Sequence, residues 1–319
     1  MFSTPILLIV YNRPDYTIKL QEAIKAIKPT AIYIAADGPK NEADKILTDK
    51  TRAVFDSIDW PCTIKTFYRE QNEGCGIGVS NGINWFFSQV EYGIILEDDC
   101  IPTSSFFSFS ENLLIKYKEE ETVMMIGGAS WLDKNFNYKC DYFFTHLSSI
   151  WGWATWKRAW QKYQFTITPE MIKQANEKKV WNEFSNKKIK EFRIKLLQAT
   201  YEKKVDTWDI QWSYCMSLNK GIAILPIKNQ ITNIGIYGSN YKTETQLTNL
   251  NTDTIDVVNL KHPKNIAIEK KMDVLYQNLE AKKFLSINEP LIKFYINKTK
   301  YYILKFLASI GLKHENSIR

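Results

Sequence analysis

Three consecutive acidic residues, Glu97-Asp98-Asp99, follow a short apolar run and are the strongest candidates for chemistry in this sequence. Like charges that stand side by side disfavour ionisation unless a cation neutralises them. Mg²⁺ and Mn²⁺ take one or two carboxylates from a protein, and water or substrate phosphates fill their remaining positions. This acidic triplet is therefore a candidate metal site. A solvated acidic turn is the alternative that the triplet alone leaves open.

A second pair of carboxylates, Asp206 and Asp209, stands among aromatic residues in the segment 205–212. Other reactive residue types offer less. The 5 cysteines include no C-x-x-C pair and the 3 histidines are far apart in sequence, which disfavours a disulfide framework, a zinc-thiolate site and a Ser-His-Asp triad. Carboxylates must therefore carry the chemistry.

Apolar runs and helical patterns alternate at the start of the chain. The runs at 5–10, 31–36, about 62–68 and 93–96 predict four strands. Strands that are apolar on both faces indicate an α/β fold with a parallel sheet covered by helices, in which ligands bind at the carboxyl ends of the strands. Polar residues follow all four predicted strands: Asn12, Arg13, Asp37, Arg69, Asn72, Glu97, Asp98 and Asp99. Together they predict a site at this edge of the sheet.

Five of the 10 tryptophans lie between residues 131 and 160: Trp131, Trp151, Trp153, Trp156 and Trp160. The last three recur at helical spacing, which favours packing of a helix into the core. A platform for sugar rings is the alternative, because aromatic faces pack against the apolar C–H faces of pyranoses. The sequence leaves both interpretations open.

The motifs taken together resemble those of a known family. Tyr-Asn-Arg-Pro at 11–14, Asp-Gly-Pro at 37–39, Arg69-x-x-Asn72-x-Gly74 and the acidic triplet resemble the GT-A glycosyltransferases. Among these, the chain is similar to bacterial nucleotide-diphospho-sugar transferases related to N-acetylglucosaminyltransferase I, whose metal motif is also Glu-Asp-Asp. The resemblance extends through Trp-Gly-Trp at 151–153, Trp208-Asp209 and Asn-Ile-Gly at 233–235, and so covers about residues 4–245.

The resemblance implies a role for each matching residue. Asp99 matches the ligand of Mn²⁺ or Mg²⁺, and Asp98 and Glu97 match residues near the ribose and the transferred sugar. Arg13 and Asp37 match positions that hold the nucleotide base. Asp209 matches the catalytic base of the inverting members, with Asp206 as the alternative base. The predicted donor site is completed by Asn12, Arg69, Asn72, Gly74 and Trp208.

The implied reaction is a single displacement at the anomeric carbon of a nucleotide sugar, with a UDP-sugar favoured as the donor. Asp209 would remove the proton of the attacking hydroxyl, and the cation on Asp99 would stabilise the departing nucleoside diphosphate. The implied acceptor is a glycan or lipid-linked oligosaccharide in the synthesis of a surface polysaccharide or lipooligosaccharide. No nucleic-acid partner is expected.

Two rival functions remain. A nucleotidyltransferase of the sugar-nucleotide pyrophosphorylase type also binds nucleotide and Mg²⁺, but it carries a Gly-rich phosphate loop with Arg and Lys after the first strand, which residues 11–14 do not provide. A noncatalytic carbohydrate-binding protein would suit the tryptophans but would not need the acidic triplet. A dinucleotide oxidoreductase is disfavoured, because no G-x-G-x-x-G follows the first strand.

The expected organisation is a GT-A domain over 1–245, with a nucleotide-binding half at 1–100 and an acceptor and catalytic half at 101–245, followed by an extension at 246–319. The net charge of +7 is concentrated after residue 280. There the pattern near 290–312 predicts a basic amphipathic helix that lies on a membrane surface, with docking on the body or a dimer interface as alternatives. No apolar run is long enough to span a membrane. The expected location is the cytoplasm, peripheral on the inner face of the plasma membrane.

Overall fold

The computed structural model describes residues 2–235 and 252–283, and the predicted basic helix near 290–312 lies outside these residues. The strands are β1 (Ile6–Val10), β2 (Ala31–Ala36), β3 (Thr63–Tyr68), β4 (Tyr92–Glu97), β5 (Cys100–Pro102), β6 (Val123–Gly127), β7 (Tyr142–Thr145), β8 (Trp153–Trp156), β9 (Ile222–Pro226) and β10 (Ile231–Asn233). The α-helices are α1 (Pro14–Lys25), α2 (Glu42–Ala53), α3 (Gly74–Phe87), α4 (Ser104–Lys116), α5 (Lys157–Trp160), α6 (Pro169–Asn176), α7 (Lys187–Tyr201), α8 (Asp209–Leu218) and α9 (Lys270–Lys283).

Eight of these strands form one sheet in the order β3-β2-β1-β4-β8-β6-β9-β7. The first four strands of the chain pair in parallel, and Leu7 on β1 lies opposite Tyr33 on one side and Ile95 on the other. β8 is antiparallel to both of its neighbours, and β7 is antiparallel to β9. The sheet is therefore mostly parallel and flanked by helices, which confirms the predicted α/β fold class.

Helices cover both faces of the sheet, as the apolar strands require. On one face Leu8 of β1 packs in a cluster with Leu20 of α1 and Phe106 of α4. On the other face its neighbour Leu7 packs in a cluster with Phe86 of α3 and Trp212 of α8. The strand β1 is buried on both sides because successive side chains point to opposite faces.

The tryptophan-rich stretch differs from the helical prediction. Trp153 and Trp156 belong to the strand β8, and only Trp160 lies in a helix, α5. The side chains of Trp153 and Trp156 are buried because β8 lies inside the sheet, with β4 on one side and β6 on the other. The side chains of Trp131, Trp153, Trp156 and Trp160 are 1–6% exposed, so these four form core and cannot offer a sugar platform.

Four short strands and two helices were not predicted: β5, β7, β8, β10, α8 and α9. β5 and β10 pair with each other in a separate two-stranded sheet, with Asn233 opposite Cys100. α9 packs against β7 and α7. None of the helices over 2–235 and 252–283 is long and apolar enough to cross a membrane.

Candidate active site

A cleft of about 240 Å³ opens at the carboxyl ends of the parallel strands. Its walls come from the ends of β1, β2 and β4, from the loop after β3 and from the first turns of α3. The lining residues are Ile9, Val10, Tyr11, Arg13, Ala35, Ala36, Asp37, Lys40, Arg69, Asn72, Gly74, Cys75, Gly78, Val79, Glu97, Asp98 and Asp99. The site is thus at the edge of the sheet where the sequence places it.

The acidic triplet and Arg13 form one end of the cleft. The Nη1 atom of Arg13 lies 3.3 Å from Oδ1 of Asp98 and 3.1 Å from Oδ2 of Asp99. Arg13 is positioned by the start of α1, where Pro14 occupies the first turn and the Arg13 carbonyl accepts the N–H of Thr17 at 3.0 Å. One guanidinium therefore bridges two carboxylates of the triplet.

Glu97 and Asp98 have strongly perturbed acidities. Burial, reinforced by the neighbouring carboxylates of Asp99, Asp98 and Asp209, raises the pKa of Glu97 to about 8. Burial also raises the pKa of Asp98 to about 7, although the positive charge of Arg13 opposes the rise. Within the described ranges, no hydrogen bond reaches the carboxylate of Glu97. The protein around this end of the cleft therefore compensates the ionised form of these carboxylates poorly.

The donor set suits a hard cation. Asp98 and Asp99 offer carboxylate oxygens at the mouth of a cleft, and the guanidinium of Arg13 is a positive charge shared between them. No cluster of three or more His, Cys, Asp or Glu ligands occurs in the part of the chain that is described. The arrangement fits Mg²⁺ or Mn²⁺, which take one or two carboxylates and complete their shell with water and phosphate oxygens.

The Asn-Ile-Gly segment at 233–235 lies against Asp99. The N–H of Ile234 donates to the Asp99 carbonyl at 2.8 Å, and Oδ1 of Asn233 accepts the N–H of Gly235 at 2.9 Å. A Cβ atom on Gly235 would collide with the carboxylate of Asp99, so glycine alone fits there. The pairing of β10 with β5 is what brings this segment to the triplet.

Asp37 organises the opposite end of the cleft. Its carboxylate accepts the backbone N–H groups of Gly38, Glu73 and Gly74 at 2.9–3.1 Å and the side-chain amide of Asn72 at 2.9 Å. Burial nevertheless raises the pKa of Asp37 above its ordinary value. The carboxylate thus holds the loop after β3 in place, and any hydrogen bond to a nucleotide base would have to share its oxygens with these donors.

Arg69 also lies at this end of the cleft. Its guanidinium stacks 4.9 Å from the ring centre of Phe67 and forms an ion pair with Glu73. Burial lowers the pKa of Arg69 from its ordinary value. Arg69 therefore supplies a positive charge to the wall that faces the acidic triplet.

Asp206 caps the helix α3 from a distant loop. Its Oδ1 atom accepts the N–H of Gly76 at 3.0 Å. A Cβ on Gly74 or on Gly76 would lie 2.5 Å from the carboxylate of Asp206, and Gly74 has a positive φ of 84°. These two glycines are therefore required for the close approach, and Asp206 is bonded to a helix from a distant part of the chain.

Asp209 is the first residue of α8, and its Oδ1 atom accepts the hydroxyl of Thr207 at 2.5 Å. Its charge contributes to the raised pKa values of both Glu97 and the Cys75 thiol, so its carboxylate lies near both groups, although neither Asp209 nor Asp206 lines the cleft itself. Burial of the Cys75 sulfur, followed by the charges of Glu97, Asp209 and Asp206, raises the pKa of this thiol.

Two predicted donor-site residues lie elsewhere. Trp208 is 2% exposed and stacks on Trp153 with ring centres 5.6 Å apart, so it belongs to the core. Asn12 donates from Nδ2 to Asp44 at 2.6 Å and ties the end of β1 to α2. Asn12 stands between the cleft residues Tyr11 and Arg13, and the local backbone turns its side chain away from them, whereas neither sequence neighbour of Trp208 lines the cleft.

Four polar or small cleft residues were missed by sequence reasoning: Tyr11, Lys40, Cys75 and Gly78. Tyr11 immediately precedes Asn12, and Lys40 follows the Asp-Gly-Pro turn. Cys75 and Gly78 belong to the glycine-rich entry into α3. The sequence therefore did point to these residues, because each lies next to or within a motif already identified as part of the candidate site.

Comparison with known proteins gives only distant matches. No family model matches this chain, and no curated protein does. Among solved structures, HddC from Yersinia pseudotuberculosis has a TM-score of 0.32 and 9% identity and covers 52% of this chain and 82% of its own. The 4-diphosphocytidyl-2C-methyl-D-erythritol synthase from Anaerococcus prevotii has a TM-score of 0.30 and 12% identity, and the match covers 58% of this chain and 80% of the synthase. A UDP-glucose pyrophosphorylase complexed with UDP-glucose has a TM-score of 0.34 and 10% identity, and the match covers 72% of this chain and 90% of the pyrophosphorylase. Similarity at this level is too distant to assign an activity to this chain.

Proposed function

We propose that this chain is a transferase that uses a nucleoside diphosphate sugar, and that it moves the sugar to an acceptor hydroxyl by direct displacement. The supporting observation is a second acidic group close to the acidic triplet. The triplet lines the cleft at the sheet edge, and Asp209, at the start of α8, lies outside the cleft lining but near enough for its charge to raise the pKa of Glu97. Displacement at an anomeric carbon needs both groups, one for charge stabilisation and one as the base.

Each group has a distinct part in the proposed reaction. Asp209 takes the proton of the attacking hydroxyl, and the hydroxyl of Thr207 orients its carboxylate. Asp37, Asn72 and Arg69 surround the nucleotide base and ribose at the other end of the cleft. A divalent cation held by Asp99 would supply the positive charge that a departing diphosphate requires.

The helix N-terminus in the cleft argues against phosphate binding at that point. The first N–H groups of a helix commonly cradle phosphates. In α3 the N–H of Gly74 is already bonded to Asp37, and the N–H of Gly76 is bonded to Asp206. Two carboxylates therefore occupy two of the donors that a phosphate would use, which favours a diphosphate held instead through a cation on the acidic triplet.

A nucleotidyltransferase is the second candidate. The names of the pyrophosphorylase and the synthase found by structural comparison agree better with this function than with sugar transfer, although the similarity is distant. The site itself favours sugar transfer, because the turn after β1 enters α1 through Pro14 without a glycine-rich phosphate loop.

The proposal extends to the donor, the acceptor and the location. We favour a UDP-sugar, with a surface glycan or lipid-linked oligosaccharide as acceptor at the inner face of the plasma membrane. The support for the location is the excess of Lys and Arg after residue 280, which suits an anionic lipid surface.

One experiment separates the candidates. UDP, GDP and CDP are titrated calorimetrically with Mn²⁺ or with EDTA, and UDP release from UDP-sugars is compared with pyrophosphate release from UTP and sugar 1-phosphates. If the chain transfers sugar, one nucleotide should bind in a metal-dependent way and the nucleoside diphosphate should be released from its sugar donor. Asp99→Asn should lose both the binding and the release, and the surface control Asp49→Asn should retain both. Pyrophosphate release would favour the second candidate. Absence of nucleotide binding under every condition would overturn both.

A further inference from the structure

Arg13 is the positive charge that the folded chain itself supplies to the acidic triplet. Its Nη1 atom alone contacts both Asp98 and Asp99. No other cation among the described residues is ion-paired with either carboxylate. Without Arg13, three adjacent carboxylates would face one another at the cleft with no positive charge in contact with them.

The Arg13 backbone is held by hydrogen bonds, while its side chain is partly exposed. Its carbonyl accepts from the N–H groups of Tyr16 and Thr17 and from the Thr17 hydroxyl at 3.0–3.2 Å. The side chain is 40% exposed, and its remaining contact is with the ring of Tyr16, whose centre is 5.6 Å away. A change of side-chain rotamer therefore releases both carboxylates without disturbing α1.

A divalent cation and this guanidinium compete for the same oxygens. A cation on Asp99 needs the oxygen that Arg13 now contacts at 3.1 Å, and two positive charges at such a distance repel. A diphosphate in the cleft would offer the displaced guanidinium a new anionic partner, and arginine suits phosphate oxygens well. Binding of the metal alone breaks the ion pairs of Arg13. Binding of the metal together with a nucleoside diphosphate lets Arg13 form new ion pairs with the diphosphate.

From this geometry we infer that Arg13 is a built-in counter-cation that makes the binding of a divalent cation and of a nucleoside diphosphate cooperative. The inference rests on the proposed function for the identity of the anion. Arg13 neutralises Asp98 and Asp99 in the absence of metal, leaves them when the metal arrives, and turns to the diphosphate. Because binding coupling is reciprocal, UDP strengthens metal binding by the same factor as metal strengthens UDP binding.

The test is a Mn²⁺ titration of the full chain without nucleotide, followed by the free Mn²⁺ signal in electron paramagnetic resonance. Arg13→Gln removes the competitor and should bind Mn²⁺ roughly 5-fold or more tightly than the natural chain, the lower end of usual coupling factors. Arg13→Lys keeps the charge but loses the fork that bridges two carboxylates, so its affinity should rise less. Lys40→Gln is the matched control, because it removes one positive charge from the same cleft without touching the triplet.

A repetition with saturating UDP completes the test. UDP should raise Mn²⁺ affinity in the natural chain and in Lys40→Gln, and the increase should shrink in Arg13→Gln. Unchanged or weaker Mn²⁺ binding by both Arg13 variants would overturn the inference, as would an Arg13→Gln effect that Lys40→Gln reproduces. If Arg13→Gln tightens Mn²⁺ binding but no nucleotide binds to any variant, the counter-cation role stands and the proposed function fails. Thermal unfolding with EDTA checks that each variant is folded.

Discussion

Carboxylates that are buried or half-buried occur in two regions of this protein, and their surroundings are opposite. At the cleft, Glu97 accepts no hydrogen bond from the described residues, and its pKa is raised to about 8 by burial and its acidic neighbours. At the packing of α9 on β7, Asp273 accepts from the Thr145 hydroxyl at 2.6 Å, from the His146 ring and backbone at 3.1 and 3.2 Å, and from Gln277 at 2.8 Å. Burial acts to raise the pKa of Asp273, yet the bonds from His146 and Thr145 lower it below its ordinary value.

The ionised carboxylate of Asp273 stabilises the fold, whereas the ionised carboxylate of Glu97 destabilises it. Asp273 and the nearby Arg193–Glu280 ion pair, at 3.2 Å and with both side chains 9% exposed, attach α9 to the body. The acidic triplet has fewer donors: Arg13 contacts Asp98 and Asp99, the Tyr11 backbone bonds to Asp98, and the Cys100 thiol lies 3.5 Å from Asp99. Carboxylates left so poorly satisfied at a cleft are candidates for binding a cation or moving a proton.

The largest expected effect is on activity at the cleft. Asp209→Asn should reduce UDP release from the donor identified by the binding screen by roughly 10²–10⁴-fold, the usual contribution of a general base. Nucleotide affinity and the urea midpoint of unfolding should stay unchanged, because Asp209 has one hydrogen-bond partner in its own turn. A loss of similar size in Asp206→Asn, with little loss in Asp209→Asn, would reverse the assignment of the base.

The next effect is on stability at α9. Asp273→Ala leaves the buried donors of Thr145 and Gln277 without an acceptor, so the free energy of unfolding should fall by about 2–4 kcal/mol in urea denaturation. The exposed variant Asp256→Ala is the control and should change it little. A loss below about 0.5 kcal/mol in Asp273→Ala would show that the network at α9 does not stabilise the fold.

The pH dependence of that stabilisation has a definite sign. The folded pKa of Asp273 is depressed, so the stabilisation is fully present above the unfolded value of about 3.9 and is lost as pH falls through the folded value. The difference in unfolding free energy between the natural chain and Asp273→Asn should therefore narrow below about pH 4. A difference that stays constant down to pH 3 would contradict this.

The cleft should show the opposite sign. The folded pKa of Glu97 is raised to about 8, so with EDTA present the natural chain should lose stability as pH rises from about 4.3 towards 8. Glu97→Gln removes the ionising group and should be more stable than the natural chain at pH 8, with the difference disappearing near pH 4. The exposed Glu91→Gln serves as the control. A Glu97→Gln variant that is less stable at pH 8 would show that this carboxylate supports the fold.

The smallest expected effect is a difference in stability between variants of Asp206, which precedes α8, and Asp209, which begins it. Asp206→Ala removes a cap from the N–H of Gly76 in α3 and should lower the free energy of unfolding by about 1 kcal/mol. Asp209→Ala should lower it by less than about 0.5 kcal/mol. Equal effects of the two variants would remove the structural distinction between them.

Periodic patterns in the sequence predicted the parallel half of the fold well. The predicted strands at 31–36 and about 62–68 agree with β2 and β3 within a residue, although only β2 is a continuously apolar, buried strand and the edge strand β3 is mostly exposed. β8 was missed since Trp153 and Trp156 are compatible with helical spacing, and their place between β4 and β6 depends on distant partners. α9 was missed because its buried face carries Asp273, Gln277 and Glu280, which look like solvated polar residues until their partners are known.

The sequence by itself determined the α/β class, the edge of the sheet at which the site lies and the residue types that converge there, because these follow from local periodicity and from the chain order of the strands. Only the tertiary structure decided which of those residues share the cleft. It placed Trp208 in the core, committed Asn12 to Asp44, used Asp206 to cap α3 and joined Arg13 to Asp98 and Asp99. The physical reason is that side-chain partners are set by packing between elements far apart in the chain, to which local patterns are blind.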